Sequence, residues 1–323
     1  MKHNRKHLKQ LQIGFIMDVM EKILLRWDTS MAIMIEAQNR GHKIFYIEPD
    51  DLFLRNESPW GNIREVIVSR TFGFRVVKHK LINLNTLDVI FNRKEPPFDV
   101  SYLYLTQMLE LLEPEVFIIN SPSGVRKANE KLYILEFPDW IPPSLVSNCP
   151  ERINAFRRKL KSDLILKPLD QKGGAGIKLL LFRTKKVDHL LNQMTKNGTR
   201  WVIAQKFLKR NLMFGDKRIL LLNGEVIGQF ARIPKRGEFR SNLSLGGKHV
   251  RATLTEKERE LARALKPKLL RDGLYFAGID VVDSKLIEIN VTSPAGITEV
   301  NELEGKHPEV QVVDFLEVKA PRR

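Results

Sequence analysis

The sequence has little that supports cysteine or histidine chemistry. Among its 323 residues the single cysteine is Cys149, which excludes an intrachain disulfide and a cysteine-rich metal site. The seven histidines show no metal-ligand spacing, and no serine–histidine pair or reactive cysteine is indicated. Low cysteine content is typical of a reducing compartment, so we expect a cytoplasmic protein.

Long apolar runs and nucleic-acid motifs are also missing. No apolar run approaches the ~20 residues of a membrane span, and the basic tail, residues 1–10, leads into a first strand without a cleavage site. We therefore expect no membrane partner. The excess of 54 Lys and Arg over 38 Asp and Glu attracts anions. Without zinc-finger spacing or a dense arginine tract, it favours solvated surface or a phosphate-rich ligand over a dedicated nucleic-acid partner.

Two kinds of pattern divide the chain near residue 122. From Gln12 to Ile119 strand and helix patterns alternate, which predicts a doubly wound, Rossmann-like α/β domain with a mostly parallel sheet. Prolines and turn residues then break this rhythm and mark a boundary. Strands dominate the rest of the chain, as expected for α+β structure.

A hairpin is predicted in "GIDVVDSKLIEINVTSP", residues 278–294. The pattern indicates strands at 275–282 and 286–291, joined by a polar loop of three residues at 283–285. In that arrangement Val282 pairs with Leu286. Two acidic residues then face each other across the hairpin.

These acidic residues are Asp280 and Glu288, and the two-residue period of a strand puts Asn290 on the same face. Opposed carboxylates repel each other unless a cation lies between them. Carboxylate and amide oxygens without His or Cys suit Mg²⁺ (or Mn²⁺) rather than zinc. The alternative is a half-solvated hairpin whose polar face meets water.

A glycine-rich loop follows an apolar strand in "LILKPLDQKGGAGI", residues 164–177. Gly173, Gly174 and Gly176 do not have the spacing of a P-loop or a dinucleotide fingerprint. Glycines nonetheless let backbone N–H groups approach phosphate oxygens, and Lys167 can supply a charge to them. The alternative interpretation is an ordinary turn between two strands.

Two later stretches could complete a nucleotide site. "VIAQKFL", residues 202–208, offers a strand edge for adenine, with Asp216 nearby for ribose and Arg218 for charge. The alternative is a β-hairpin with a polar loop. The basic, glycine-containing stretch 231–249 predicts a mobile flap over an anion.

The order of these motifs resembles that of the ATP-grasp ligases, and most closely bacterial glutathione synthetase. The resemblance covers almost the whole chain after the tail and rests on "FIMD", "RKEPPFD", "NEKL", "ILKPLDQKGGAGI", "GDKRILLLNGE", "ARIP", "LTEKE" and "IEINVTSP". It implies an N-terminal α/β domain over 1–122, a small ATP-grasp lid subdomain over 123–200, and a C-terminal subdomain over 201–323 that carries the metal site.

The resemblance also implies a nucleotide site and a metal site. Residues expected to bind ATP are Lys131, Lys167, Gly173, Gly174, Gly176, Gln205, Lys206, Phe207, Leu208 and Asp216. The metal would be Mg²⁺ (or Mn²⁺) on Asp280, Glu288 and Asn290. Residues expected to act on the acyl phosphate and the substrate carboxylates are Arg218, Arg232, Arg240 and Asn242. Residues expected near the dipeptide are Ser30, Arg93, Thr292, Ser293 and Pro294.

The implied reaction joins γ-glutamylcysteine and glycine to form glutathione through an acyl phosphate, at the expense of ATP. A homotetramer is implied as well. Two alternatives stay open: another ATP-grasp carboxylate–amine ligase acting on a different peptide or protein tail, and a non-catalytic module that binds ATP or a polyanion.

Overall fold

The computed structural model describes residues 9–20, 28–209, 214–235, 237–240 and 246–321, and its strands form three separate sheets. Helices of six to sixteen residues pack against these sheets. In the described ranges the α-helices are α1 Thr29–Asn39, α2 Val100–Glu110, α3 Pro122–Lys127, α4 Pro150–Leu160, α5 Asp188–Thr195, α6 Glu256–Arg271, α7 Ile297–Glu304 and α8 Pro308–Lys319. None of the helices that the structure describes is long and apolar enough to cross a membrane.

The first sheet has seven strands: β1 Gln12–Ile16, β2 Lys43–Ile47, β3 Leu52–Arg55, β4 Ser58–Ser69, β5 Gly73–Asn83, β6 Val89–Asn92 and β7 Phe117–Ile119. The prediction of a parallel sheet is confirmed for β2, β1, β6 and β7, which lie side by side in that order. The strands β3, β4 and β5 were not predicted and are antiparallel. Asn56 and Glu57, both with positive φ, form the tight turn that reverses the chain between β3 and β4.

Helices lie on both faces of this sheet, as a doubly wound fold requires. Asp28 caps α1 and Asp99 caps α2, each by accepting a hydrogen bond from a backbone N–H of the first turn. Buried residues of α1, α7 and α8 belong to one apolar cluster with β1, and those of α2 belong to another. The C-terminal helices therefore pack on the first domain.

The second sheet is small and antiparallel, with strands in the order β10–β9–β11–β8. Its strands are β8 Ser144–Ser147, β9 Leu164–Pro168, β10 Lys178–Leu180 and β11 Val202–Lys206. Apolar residues of α4 and α5 share one buried cluster with them. The predicted boundary at residue 200 falls just before β11, the last strand of this sheet.

The third sheet carries the predicted hairpin and is antiparallel, in the order β14–β13–β12–β15–β16. Its strands are β12 Asp216–Leu222, β13 Glu225–Ile233, β14 Lys248–Val250, β15 Phe276–Val282 and β16 Lys285–Asn290. Helix α6 begins with a capping box between Thr255 and Glu258, and its buried residues pack in one cluster with β12 and β15.

Asn120 fastens the first domain to the third sheet. Its Nδ2 donates to the carbonyl oxygens of Phe276 and Val291, both at 2.7 Å, and its Oδ1 accepts from the Phe276 N–H at 2.7 Å. The side chain is 4% exposed, so these bonds are shielded from water. This junction holds the end of β7 against the hairpin of β15 and β16.

Candidate active site

A deep cleft lies between the second and third sheets. Its empty space is about 810 Å³ with open solvent included, which is in the range of small-molecule sites. Most residues predicted to bind ATP or metal line it: Lys131, Lys167, Gly173, Gly174, Gln205, Lys206, Phe207, Leu208, Asp216, Asp280 and Glu288. Two residues predicted to act on the acyl phosphate, Arg232 and Arg240, line it as well. Residues far apart in sequence therefore meet in one place.

One part of the cleft is apolar and closes around an aromatic pair. Ile165 and Ile177 line it, and the rings of Phe207 and Phe239 meet edge to face at 6.5 Å. Gln205 is 1% exposed and donates through Nε2 to the Ser144 hydroxyl at 3.0 Å. Its Oε1 is buried and has no hydrogen-bond partner among the described residues. A flat ring with an amino group would satisfy this acceptor.

The glycine-rich loop adopts a backbone that its glycines make accessible. Gly173, Gly174 and Gly176 have φ values of 62°, 78° and 67°, a region that side chains with a Cβ rarely adopt. A Cβ on Gly176 would also lie 3.2 Å from the Pro168 ring. The Gly174 carbonyl accepts a hydrogen bond from Arg240 Nη1 at 3.3 Å, so the predicted flap contacts this loop.

Two buried lysines line the cleft and contact neighbouring residues of β16. Lys131 is 4% exposed and its Nζ lies 2.6 Å from the Gln171 carbonyl oxygen and 3.4 Å from Glu288. Lys167 is 7% exposed and donates to the Ile287 carbonyl at 3.2 Å. Burial lowers the pKa of Lys167, although Glu288 opposes the shift. Both cations would gain from an anionic ligand between them.

Asp280 is the buried centre of the polar hairpin face. Arg218 holds it through Nε–Oδ1 and Nη2–Oδ2 contacts of 2.6 and 3.1 Å, and Arg232 Nη2 lies 2.9 Å from Oδ2. Burial raises the pKa of Asp280, but the two guanidinium groups outweigh burial and lower the pKa well below its usual range. Asp280 is therefore a carboxylate at neutral pH.

The predicted pairing of Asp280 with Glu288 is confirmed, but the predicted loop is wrong. Val282 pairs with Lys285 rather than with Leu286, so the turn contains two residues, both with positive φ. A β-bulge between Asp280 and Val281 then shifts the register by one residue. This shift restores the opposition of the two acidic side chains.

Asn290 completes the face from the end of β16. Its Nδ2 donates to the Gly278 carbonyl at 3.1 Å and lies 3.4 Å from Asp280 Oδ2. The amide nitrogen is thereby engaged, which leaves Oδ1 as the atom that can bind a cation. No group of three His, Cys, Asp or Glu side chains in the described ranges could hold a metal. The protein donors that this face offers a metal are thus the two carboxylates and the Asn290 oxygen.

The other residues predicted to bind ATP or to act on the acyl phosphate differ in whether their side chains are already paired. Asp216 accepts from Arg232 Nε at 2.6 Å, so part of its carboxylate is already paired. Lys206 is exposed at the end of β11. Arg240 pairs with Glu238 at 2.7 Å beside the glycine-rich loop. Asn242 lies outside the described residues.

The residues predicted near the dipeptide fall into two groups. Arg93 is 3% exposed; its Nε donates to the Ser30 hydroxyl at 2.9 Å and its Nη1 to the Pro294 carbonyl at 3.0 Å. These three residues tie the first domain to the chain after β16. Thr292 is also buried, whereas Ser293 is partly exposed. Arg93 is thus a buried connection rather than an exposed side chain.

A second cavity adjoins the cleft on the side of the first domain. Residues 96–99, 125–126, 128–131 and 169–172 contribute to its wall, together with Thr292, and it shares Lys131 and Gln171 with the cleft. Glu130 lies on this wall and accepts a hydrogen bond from the Thr292 hydroxyl at 3.0 Å. Burial, and then repulsion from Glu288, raises the pKa of Glu130 to about 7.

Glu130 was not predicted as a site residue. It stands in "NEKL", beside Lys131, and that position was the one signal available in the sequence. The apolar wall of the cleft was missed for a related reason. Ile165, Ile177 and Phe239 have the pattern of ordinary strand or loop residues, and only the fold brings them together.

Solved structures of similar fold define the class of protein. The chain superposes on D-cycloserine synthetase DcsG with a TM-score of 0.65 and 13% identity, covering 94% of this chain and 99% of that one. It superposes on the ATP-grasp ligase PsnB, complexed with minimal precursor, with a TM-score of 0.63 and 15% identity, covering 97% and 100%. The chain therefore has the fold of the ATP-grasp ligases.

Sequence comparison identifies the family. Family models for prokaryotic glutathione synthetase match residues 11–126 as the N-terminal domain and 130–305 as the ATP-grasp domain. Glutathione synthetase of Gloeobacter violaceus is 40% identical over 314 residues, covering 95% of this chain and 96% of that protein. That of Coxiella burnetii is 38% identical over 313 residues, covering 96% and 97%. The chain belongs to the prokaryotic glutathione synthetase family.

Proposed function

We propose that this chain joins γ-glutamylcysteine to glycine and converts ATP to ADP and phosphate. The main support is the inner end of the cleft, where the face formed by Asp280, Glu288 and Asn290 meets the ammonium groups of Lys131 and Lys167. A face of oxygen ligands beside buried cations suits phosphoryl transfer, in which charge stabilisation does most of the work. Family membership supports the choice of substrates.

ATP fits the cleft with its base in the apolar part and its phosphates at the lysine end. The unpartnered Gln205 Oε1 can accept from the amino group of adenine. Backbone N–H groups of the glycine-rich loop can approach the phosphates, because Gly173 and Gly174 carry no side chain. Asp216 would contact the ribose or its surroundings.

The residues present fit a magnesium ion. Asp280 is ionised at neutral pH, Glu288 lies opposite it, and the Asn290 nitrogen is engaged so that its oxygen is available. This is the hard-oxygen donor set that Mg²⁺ prefers. When bound, the metal would neutralise phosphate charge. Mn²⁺ accepts similar ligands.

The first half of the reaction transfers the γ-phosphoryl group to the cysteinyl carboxylate of the dipeptide. A carboxylate oxygen bonds to phosphorus as the bond to ADP breaks, which yields an acyl phosphate. Lys131 and Lys167 would hold the phosphates, while Arg218 and Arg232 would balance charge through Asp280. Arg240 would add charge from the flap.

In the second half, the glycine nitrogen bonds to the acyl carbon, the bond from that carbon to the phosphate oxygen breaks, and a proton is released. The products are glutathione and phosphate. The second cavity, which meets the cleft at Lys131, supports a place for the dipeptide and glycine. Arg93 and Ser30 would act from behind this cavity by fixing the segment that contains Thr292 and Ser293.

The proposed setting is a cytoplasmic homotetramer. Exposed apolar side chains on the β4–β5 hairpin and its turn support an interface between subunits: Ile67, Phe72, Val77 and Leu81 are 37%, 55%, 56% and 52% exposed. Light scattering in solution measures the mass directly. A tetramer is expected, and a monomer at all concentrations would contradict this part.

The test of the proposed function is ADP release with each substrate omitted in turn. We expect sustained turnover only when ATP, Mg²⁺, γ-glutamylcysteine and glycine are all present. Replacement of glycine or the dipeptide by other amino acids or peptides identifies the preferred acceptor. Equal ADP release without the dipeptide would contradict the proposal.

A further inference from the structure

The second cavity contains a carboxylate that has no cation of its own. Within the described ranges, the Glu130 carboxylate makes no ion pair and accepts its one hydrogen bond from Thr292. The other charged side chains of the wall are paired elsewhere, although Arg126, which pairs with Glu110, keeps its Nη1 without a hydrogen-bond partner among the described residues. Asp170 pairs with Arg200, and Lys172 pairs with Glu95.

The two cations that influence the pKa of Glu130 already have other hydrogen-bond or ion-pair partners. Lys131 and Arg218 both lower the pKa of Glu130. Lys131 Nζ contacts the Gln171 carbonyl and Glu288, however, and Arg218 contacts Asp280 and the Ala295 carbonyl. A largely buried carboxylate without an ion-pair partner is costly, and a cationic group in the cavity would remove that cost.

A backbone hydrogen bond fixes the position of residue 130 beside β16. The Glu130 carbonyl accepts from the Ile289 N–H at 3.0 Å, so residue 130 is bonded to the strand between Glu288 and Asn290. Glu130 is therefore held beside the proposed phosphoryl-transfer site. A nucleophile must come within about 3–3.5 Å of the carbon that it attacks. Of the ammonium groups of the substrates, that of the acceptor amino acid must reach this place.

We propose that Glu130, oriented by Thr292, binds the ammonium group of the acceptor amino acid before it attacks the acyl phosphate. Glu130 is a binding residue for one substrate, and Thr292 is a positioning residue. The inference rests on the proposed function and deepens it, because it assigns the subsite of glycine. It concerns binding of the ammonium form and leaves the phosphoryl transfer from ATP unaffected.

Glu130→Gln tests the assignment, because it keeps the shape of the side chain and removes its charge. We expect the apparent KM for glycine to rise about ten- to hundred-fold, the effect of losing a hydrogen bond between charged groups. The apparent KM values for ATP and γ-glutamylcysteine should stay within about twofold of wild type. Glu225→Gln, the same change at an exposed position that lines neither cavity, is the matched control, and it should leave all three constants unchanged.

A neutral acceptor gives an independent readout. Hydroxylamine is uncharged near neutral pH and captures an acyl phosphate as a hydroxamate. Hydroxamate formation from ATP and γ-glutamylcysteine should be the same in wild type and Glu130→Gln. A merely structural role of Glu130 would lower it together with glycine-dependent turnover.

The thermal unfolding midpoint shows whether Glu130→Gln folds. If that variant does not fold, a second variant tests the assignment. Thr292→Val removes the hydroxyl that orients Glu130, and it should raise the apparent KM for glycine in the same direction but less. An unchanged glycine KM, an equal rise for ATP, or a rise for the dipeptide alone would overturn the assignment. Absence of dipeptide-dependent ADP release by the wild type would instead refute the proposed function itself.

Discussion

Asp280 lies directly opposite Glu288 on the neighbouring strand, in a register set by the bulge between Asp280 and Val281. The two carboxylates differ in their partners. Asp280 is 3% exposed and held by two arginines, whereas Glu288 is partly exposed and lies 3.4 Å from Lys131. Substitutions of the two residues should therefore have different consequences.

Glu288→Gln and Asn290→Ala should each lower turnover by orders of magnitude and leave the thermal unfolding midpoint close to that of wild type. The lost interactions are those that stabilise charge in the transition state. Steady-state ADP release at saturating Mg²⁺ measures the effect, with Glu225→Gln in the same sheet as the control. Near-normal ADP release from either site variant would rule out the proposed metal face.

Asp280→Asn should destabilise the protein as well as inactivate it. Removing this charge leaves Arg218 and Arg232 buried without their shared counter-ion, a change that typically costs 3–5 kcal/mol. Arg232 retains Asp216, so we expect about 3 kcal/mol less free energy of unfolding. Chemical denaturation of the variant and of Glu288→Gln compares the two directly. Equal stabilities would show that Asp280 is not the structural counter-ion.

Lys167→Met should weaken ATP binding by roughly ten- to hundred-fold without loss of stability, since charge-assisted contacts to phosphate are lost. Burial already lowers the pKa of Lys167, and in the described ranges no carboxylate forms a salt bridge with it. An apolar chain of similar length should therefore be tolerated in the ligand-free protein. Isothermal titration with a non-hydrolysable ATP analogue measures the affinity. Lys178→Met, at an exposed position of β10, is the control, and a matching loss there would contradict a specific role.

Asp272→Asn should lower stability in a pH-dependent manner. Lys127, Lys268 and Tyr133 donate to this carboxylate at 2.7–2.9 Å and, against the effect of burial, lower its pKa from 3.8 to about 2. A lowered pKa in the folded state stabilises the protein above pH 3.8, and that stabilisation is lost as the pH falls towards 2. We expect the variant to be about 2 kcal/mol less stable at pH 7 and about half that at pH 3.

Urea unfolding at the two pH values measures this difference. Asp314→Asn serves as the control, because its side chain is 59% exposed and a surface change should stay within about 0.5 kcal/mol. A stability difference for Asp272→Asn that grows at low pH would have the wrong sign for a carboxylate with a lowered pKa.

Local patterns in the sequence were enough to predict the parallel part of the first sheet and the opposed carboxylates. The antiparallel strands β3, β4 and β5 were missed. The turn between β3 and β4, at Asn56 and Glu57, lacks the glycine that usually marks a tight hairpin. The hairpin of β15 and β16 was predicted with one loop residue too many. The bulge compensated for this error, and nothing in the local sequence distinguishes the two geometries.

Contacts between residues far apart in the chain could not be predicted from the sequence. Arg93 meets the Pro294 carbonyl across 201 positions, and Asn120 joins Phe276 across 156. Glu130 becomes a candidate only when the cavity wall shows which charges are already paired. A composition with many lysines and arginines gives no indication of which carboxylate lacks a partner.

The transfer of one oxygen atom tests the central claim most directly. γ-Glutamylcysteine labelled with ¹⁸O in its cysteinyl carboxylate is incubated with ATP, Mg²⁺ and glycine, and the released phosphate is analysed by mass spectrometry. An acyl phosphate intermediate predicts one ¹⁸O atom in each phosphate formed. Phosphate without ¹⁸O, released at the same rate as glutathione, would contradict the proposed mechanism.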